Sequence, residues 1–91
     1  MEASTIHLTP VFMEVDGVPV QLVEASKQQL ASGETWYIVS VRITFKGVQS
    51  RVFPLFVRST QDLVNKLKVE VTKVKFIYYA YGLDEVRRLI T

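Results

Sequence analysis

The sequence predicts an α+β fold: a largely antiparallel sheet of two β-hairpins plus a central C-terminal strand, backed by one main helix over 60–72 and a short C-terminal helix. Three observations predict it. Asp16-Gly17 lies between alternating apolar residues, residues 35–46 alternate over the length of a long strand and then meet Gly47, and the period changes from 2 to 3.6 after Ser59. The chain has 91 residues, the size of a single domain over 1–91. Its apolar share of 48% and charged share of 22% are those of a folded chain with a modest core, which argues against disorder.

The first hairpin is the clearest element. Asp-Gly supplies the two positive-φ residues that a type I′ turn needs. Folding the strands about it pairs Val15 with Val18, Met13 with Val20 and Val11 with Leu22, so one face is wholly apolar. Phe12, Glu14, Pro19 and Gln21 fall on the other. A slip of one residue destroys this sorting. Pro19 opposes Glu14 in a non-hydrogen-bonded pair, which marks strand 18–23 as a sheet edge. Residues 24–34 are polar and lack β-branched side chains, and they read as a loop with a short helical turn between Ser26 and Gly33.

In the strand 35–46, Tyr37, Val39, Val41, Ile43 and Phe45 share one face, and Trp36, Ile38, Ser40, Arg42, Thr44 and Lys46 share the other. Two turns fit the return. A Lys46-Gly47 turn sets Pro54 against Val39 at the loss of a ladder bond, whereas a type II′ Gly47-Val48 turn sets it against Val41 with nothing lost. The second is the better expectation, and it makes strand 49–57 an edge. Ser59 and Asp62 form an N-terminal capping signal. Leu63, Val64, Leu67, Val71 and Val74 follow within an arc of about 100°, so helix 60–72 covers Val39, Val41 and Ile43. From Val74 the apolar residues alternate again, which predicts a strand over 74–81, apolar on both sides and therefore central. Gly82 ends it. Leu83–Ile90 reads as a helix with Asp84 and Glu85 at its start and Arg87 and Arg88 at its end, as the helix dipole favours.

Composition narrows the chemistry. There is no cysteine and one histidine, which excludes disulfides, thiolate metal sites and multi-histidine sites. Phosphate loops, nucleotide fingerprints and zincin motifs are absent. His7 has no triad-like companion nearby and reads as a surface histidine. Glu14 and Asp16 share a strand face, but without a third carboxylate nearby they read as a solvated turn. The expectation is a non-enzyme with no cofactor and no small-molecule substrate. The N-terminus has no apolar signal region and no stretch is long enough to span a membrane, so a cytoplasmic protein with no membrane partner is expected.

The net charge of +2 hides an asymmetry. Residues 1–40 carry one base and five acids, a balance of −4, and residues 41–91 carry ten bases and four acids, a balance of +6. Such a division points to an anionic partner or a self-complementary homodimer. Arg42 and Arg51 come out as neighbours on the second hairpin, where like charges call for an anion such as phosphate. Lys75, Tyr79 and Tyr81 place a cation and two rings on one face of the expected strand 74–81, the ingredients of a stacking platform. With Lys46, Lys66, Lys68 and Lys73, these residues are the expected nucleic-acid surface, binding DNA or RNA without strong sequence specificity. The competing reading is a protein-interaction or homo-oligomerisation module. On it, Trp36, Ile38, Leu55 and Val57 form an apolar interface on the mixed face of the second hairpin, or the helix 83–90 docks on a second copy.

Overall fold

The computed structural model describes the backbone of residues 2–91 and the side chains of residues 11–91. Strands β1 (Glu2–Val15), β2 (Val18–Gln29), β3 (Thr35–Phe45), β4 (Val48–Gln49) and β5 (Phe53–Val57) precede two helices, α1 (Thr60–Tyr81) and α2 (Leu83–Ile90). The sheet is an antiparallel meander in the order β1-β2-β3, with β4 and β5 succeeding one another along the far edge of β3. The α+β class therefore stands, with both hairpins and both helices. The side chain of His7 lies outside the described residues.

The first hairpin has the expected register, Val15 with Val18, Met13 with Val20 and Val11 with Leu22. Asp16 and Gly17 both take positive φ, 50° and 80°. β2 is an interior strand, however, and not the expected edge. It runs through residues 24–29 where a loop was expected, after a bulge between Leu22 and Glu24, and pairs there with β3 from Ser40 to Thr35. Its polar residues are accommodated because one side of this sheet carries no helix. Pro19 still marks a boundary, since the ladder to β3 begins one residue later, at Val20 and Ile43. The β2–β3 turn is closed by Leu30 N–H on Glu34 O at 2.8 Å and Gly33 N–H on Leu30 O at 2.9 Å.

The second hairpin turns on Lys46-Gly47, both at positive φ (48° and 81°), and not on Gly47-Val48. Phe45 pairs with Val48 and Thr44 with Gln49. Ser50 continues this register by donating its N–H to Ile43 O at 2.8 Å. Then Arg51 and Val52 together stand opposite Arg42 alone, and the ladder resumes with Phe53 on Val41 and Leu55 on Val39. That extra residue is a β-bulge. It reverses the side to which every later side chain points, so Leu55 and Val57, expected at an interface, are core residues at 8% and 2% exposure. Pro54 opposes Ser40, and its missing N–H faces away from β3, on the sheet edge as expected.

Residues 74–81 are helical, which overturns the expected central strand. No glycine, proline or asparagine interrupts the chain between Lys66 and Tyr81. Leu67, Val71 and Val74 continue one buried stripe, and Tyr78, half-buried, extends it. Packing on that stripe outweighs the strand preference of Val, Ile and Tyr. The middle of the sheet is already occupied by β2. Gly82, at φ 94°, ends α1 and its N–H reaches Tyr78 O at 2.8 Å. At the other end Ser59 Oγ accepts from Asp62 N–H at 3.1 Å, and the Asp62 carboxylate accepts from Arg58 N–H at 2.9 Å.

Leu67 and Val71 pack with Val39, Val41 and Ile43, which is the coverage expected of this helix. α2 folds back beneath, buries Val86, and accepts Arg51 N–H on Ile90 O at 2.8 Å. The bulge is thereby tied to the last turn of the chain. Within the bulge the buried Ser50 hydroxyl accepts from Ile43 N–H at 2.9 Å and donates to Arg51 O at 2.8 Å. Ser50→Ala leaves a buried backbone donor unpaired and is expected to lower unfolding free energy by about 1–3 kcal/mol, measured by urea denaturation.

The cap has its own pH signature. The hydrogen bond from Arg58 N–H, followed by the nearby Lys66 charge, holds the Asp62 carboxyl below its ordinary 3.8. A carboxyl depressed in the folded state stabilises above its unfolded pKa and loses that effect as pH falls through the folded one. The melting-temperature difference between the wild type and Asp62→Asn is therefore expected at neutral pH and to shrink below about pH 4, measured by circular dichroism.

Candidate nucleic-acid interface

Both helices lie on the side of the sheet bearing the odd-numbered residues of β3, and among the described residues nothing covers the other side. Reading across the ladders, this open face carries the row Phe12–Gln21–Arg42, the row Glu24–Ser40–Pro54 and the row Ser26–Ile38–Phe56, with Gln28 beside Trp36 at one end. Phe12 is 68% exposed and Phe56 55%. They stand on diagonal corners, about 20 Å apart for strands spaced ~4.8 Å with a rise of ~3.3 Å per residue.

Arg42 sits between these corners. Its Nε is buried, with no hydrogen-bond partner among the described residues. A buried guanidinium nitrogen left unpaired is costly. At the Trp36 end, the Arg58 guanidinium lies over the indole ring, 4.3 Å from its centroid. Arg58 is also held by Glu34 at 3.9 Å, and the indole N–H donates to the same carboxylate oxygen at 3.2 Å. Lys66 reaches this corner from α1, with its ammonium 5.8 Å from the ring centroid, on the Phe56 carbonyl and 3.5 Å from Asp62. The face is thus an aromatic and amide-rich platform with two guanidinium groups.

The structure does not bring the remaining expected residues to this platform. Arg51 stands in the bulge opposite Arg42, but its side chain lines a cavity with Ile43, Lys73 and Ile90 on the helix side, so the two guanidinium groups do not share a face as expected. Lys46 sits at the second hairpin turn, 5.0 Å from the Tyr78 ring centroid. Lys75 donates to Asp16 O at 2.6 Å and ties α1 to the first hairpin turn. Lys68 and Lys73 flank the outer side of α1, and Lys73 is 3.4 Å from Glu70. Tyr79 and Tyr81 are exposed on the helix and not on a sheet. Lys75, Tyr79 and Tyr81 do not share a face, because a period of 3.6 replaces the period of 2. Arg87 and Arg88 pair with Asp84 and Glu85 within α2, and the Arg88 hydrogen bond depresses the Glu85 pKa.

Of the expected interface residues, Trp36 and Ile38 remain on the open face. Phe12, Phe56 and Arg58 were not expected there. Phe12 was legible, because it alternates with Glu14 on the polar side of a well-registered hairpin. Phe56 was hidden by the bulge, and Arg58 lies just past the end of β5. Among the described residues no cluster of three or more acidic or histidine side chains is arranged to hold a metal ion, and no helix is long and apolar enough to cross a membrane. Compared with protein-family models, curated proteins and solved structures, the chain has no match to any of the three.

Trp36 is the single tryptophan, so its emission reports this corner alone. Arg58→Ala removes the cation over the ring and is expected to red-shift and broaden that emission with no change in far-ultraviolet circular dichroism.

Proposed function

We propose that the protein is a non-catalytic binder of single-stranded nucleic acid, without strong sequence specificity, that acts in the cytoplasm and takes its ligand on the open face of the sheet. One observation supports this reading above the others. Among the described residues, an uncovered sheet face carries exposed Phe12 and Phe56, Arg42 between them, and Trp36 beneath Arg58. Unpaired bases stack on aromatic rings and guanidinium planes, worth about 1–3 kcal/mol per base, and every base has a face to offer. Gln21, Gln28, Ser26 and Ser40 supply donors and acceptors between the rings. Both described helices pack on the far side of the sheet, so neither is presented by this face to a duplex major groove.

The reading differs from the sequence expectation in its electrostatics. Most of the basic residues lie away from this face or are engaged with neighbouring carboxylates and carbonyls. Arg42 and Arg58, the second shared with Glu34 at 3.9 Å, are the cations left on it for phosphate. Two phosphate contacts on a single strand give a log–log salt slope of about −1.4, far shallower than a lysine-lined groove.

Fluorescence anisotropy with single- and double-stranded oligonucleotides at two salt concentrations tests it. The single strand is expected to bind at micromolar Kd with the shallow slope, and Phe12→Ala plus Phe56→Ala to weaken it at least tenfold. Arg42→Ala is expected to weaken it less. Preference for the duplex, or no binding at low salt, refutes the proposal.

A further inference from the structure

The helix side of the sheet holds a cavity that the nucleic-acid reading does not use. It is a wedge of about 310 Å³ between α1, α2 and the bulge that joins β4 to β5. Small-ligand sites span ~300–1,000 Å³, so this one suits a small molecule. The most buried of its lining residues, Ile43, Ser50 and Val74, form the floor. Half-buried Phe53, Ile77 and Ile90 form the walls. Arg51, Lys73 and Leu89 are exposed and form the rim, with half-buried Glu70 beside Lys73.

We propose that this cavity binds a small carboxylic acid with an apolar body, of the medium-chain fatty acid class. The floor decides the body. Its polar groups are already engaged, since the Ser50 hydroxyl accepts from Ile43 N–H and donates to Arg51 O, and Arg51 N–H reaches Ile90 O. What remains to be touched is hydrocarbon. A polar body loses its water there and gains no hydrogen bond in return, whereas a chain of methylenes is favoured by leaving water. The rim decides the head. Lys73 is 3.4 Å from Glu70, which sets one cation against one anion. The Arg51 guanidinium has no carboxylate partner among the described residues, so the rim carries one positive charge in excess. One excess charge balances a carboxylate and falls short of a phosphate monoester, which carries about −1.5 to −2 at neutral pH. The guanidinium fork also matches a carboxylate with two parallel hydrogen bonds.

The cavity lies behind the sheet from Phe12, Arg42 and Phe56, so the proposal stands independently of the nucleic-acid reading. It departs from the sequence expectation of no small-molecule ligand. The sequence does not display the site, because Arg51 comes to the helix side only through the bulge and Ile77 only because residues 74–81 are helical. An occupant touches α1, α2 and the bulge together, so binding is expected to raise the melting temperature.

Isothermal titration calorimetry at neutral pH tests it, with octanoate as the ligand and octanol and octylamine as probes of the head. Octanoate is expected to bind at a single site with Kd below about 1 mM, and the alcohol and the amine at least about tenfold more weakly. Hexanoate, two methylenes shorter, is expected to bind about tenfold more weakly than octanoate. Arg51→Gln keeps the backbone N–H that holds Ile90 O and is expected to weaken octanoate at least about tenfold, with the melting temperature of the free protein unchanged. Lys73→Gln, at an exposed position of α1, removes the excess charge without touching the bulge and is expected to weaken octanoate about threefold. The methyl resonances of Ile43, Ile77 and Ile90 are expected to shift on titration. No octanoate binding at millimolar concentration, octanol bound as tightly as octanoate, indifference to either substitution, or shifts confined to methyls elsewhere overturns the proposal.

Discussion

Everything in this protein hangs on the alternation of β3, whose two sides meet different fates. Tyr37, Val39, Val41, Ile43 and Phe45 point towards the helices, and Trp36, Ile38, Ser40, Arg42 and Thr44 point to the open side. Because β3 is paired on both edges, each neighbour must match this sorting residue by residue. β2 does so with a bulge after Leu22, and the return strand does so with a bulge at Arg51 and Val52. Each irregularity brings apolar residues that would otherwise be out of phase, such as Ala25 and Leu55, onto the helix side. The bulges are therefore the means by which an imperfectly alternating sequence satisfies one strand that alternates without fault.

This constraint also explains the length of α1. The helix has to seal a sheet face running from Val57 to Val15, and Leu63, Leu67, Val71, Val74 and Tyr78 do so in successive turns. Both ends are anchored by lysines acting on carbonyls, Lys66 on Phe56 and Lys75 on Asp16. Two residues that would serve phosphate recognition are thus used to hold the helix in place. Burial of the stripe dominates the energetics, since truncating a fully buried leucine such as Leu67 costs about 2–5 kcal/mol, whereas the exposed lysine contacts are each worth far less.

What was legible in the sequence follows from locality. The Asp16-Gly17 hairpin, the face sorting of β3, the Ser59–Asp62 cap and α2 each depend on residues a few positions apart, and each was readable. The register of β5 was not, because the bulge is stabilised by Ile90 O accepting from Arg51 N–H, a contact across 39 positions (90 − 51). With the register went the placement of Leu55, Val57 and Phe56. The segment 74–81 misled for a different reason. Valine, phenylalanine and tyrosine at alternate positions satisfy a strand, but the same residues satisfy a helix when Val74, Ile77 and Tyr78 face inward. Nothing local chooses between those periods, and the occupied middle of the sheet does.

The candidate site was half-legible on the same grounds. Trp36, Ile38 and Arg42 lie on β3 and were placed correctly. The lysines were grouped by nearness in sequence, yet on a helix Lys66 and Lys73 turn to one side and Lys68 and Lys75 to the other. Charge asymmetry between the halves of the chain therefore does not become a basic face. Four of the ten bases pair within one turn of helix, Lys66 with Asp62, Lys73 with Glu70, Arg87 with Asp84 and Arg88 with Glu85, and the other six are scattered over sheet, hairpin turn, bulge and helix. With the remaining cations spread over both sides of the sheet, the open face holds Arg42 and Arg58 of them. On the proposed reading, recognition there comes from rings, amides and the guanidinium groups of Arg42 and Arg58 at contact range, the regime in which stacking outweighs counterion release.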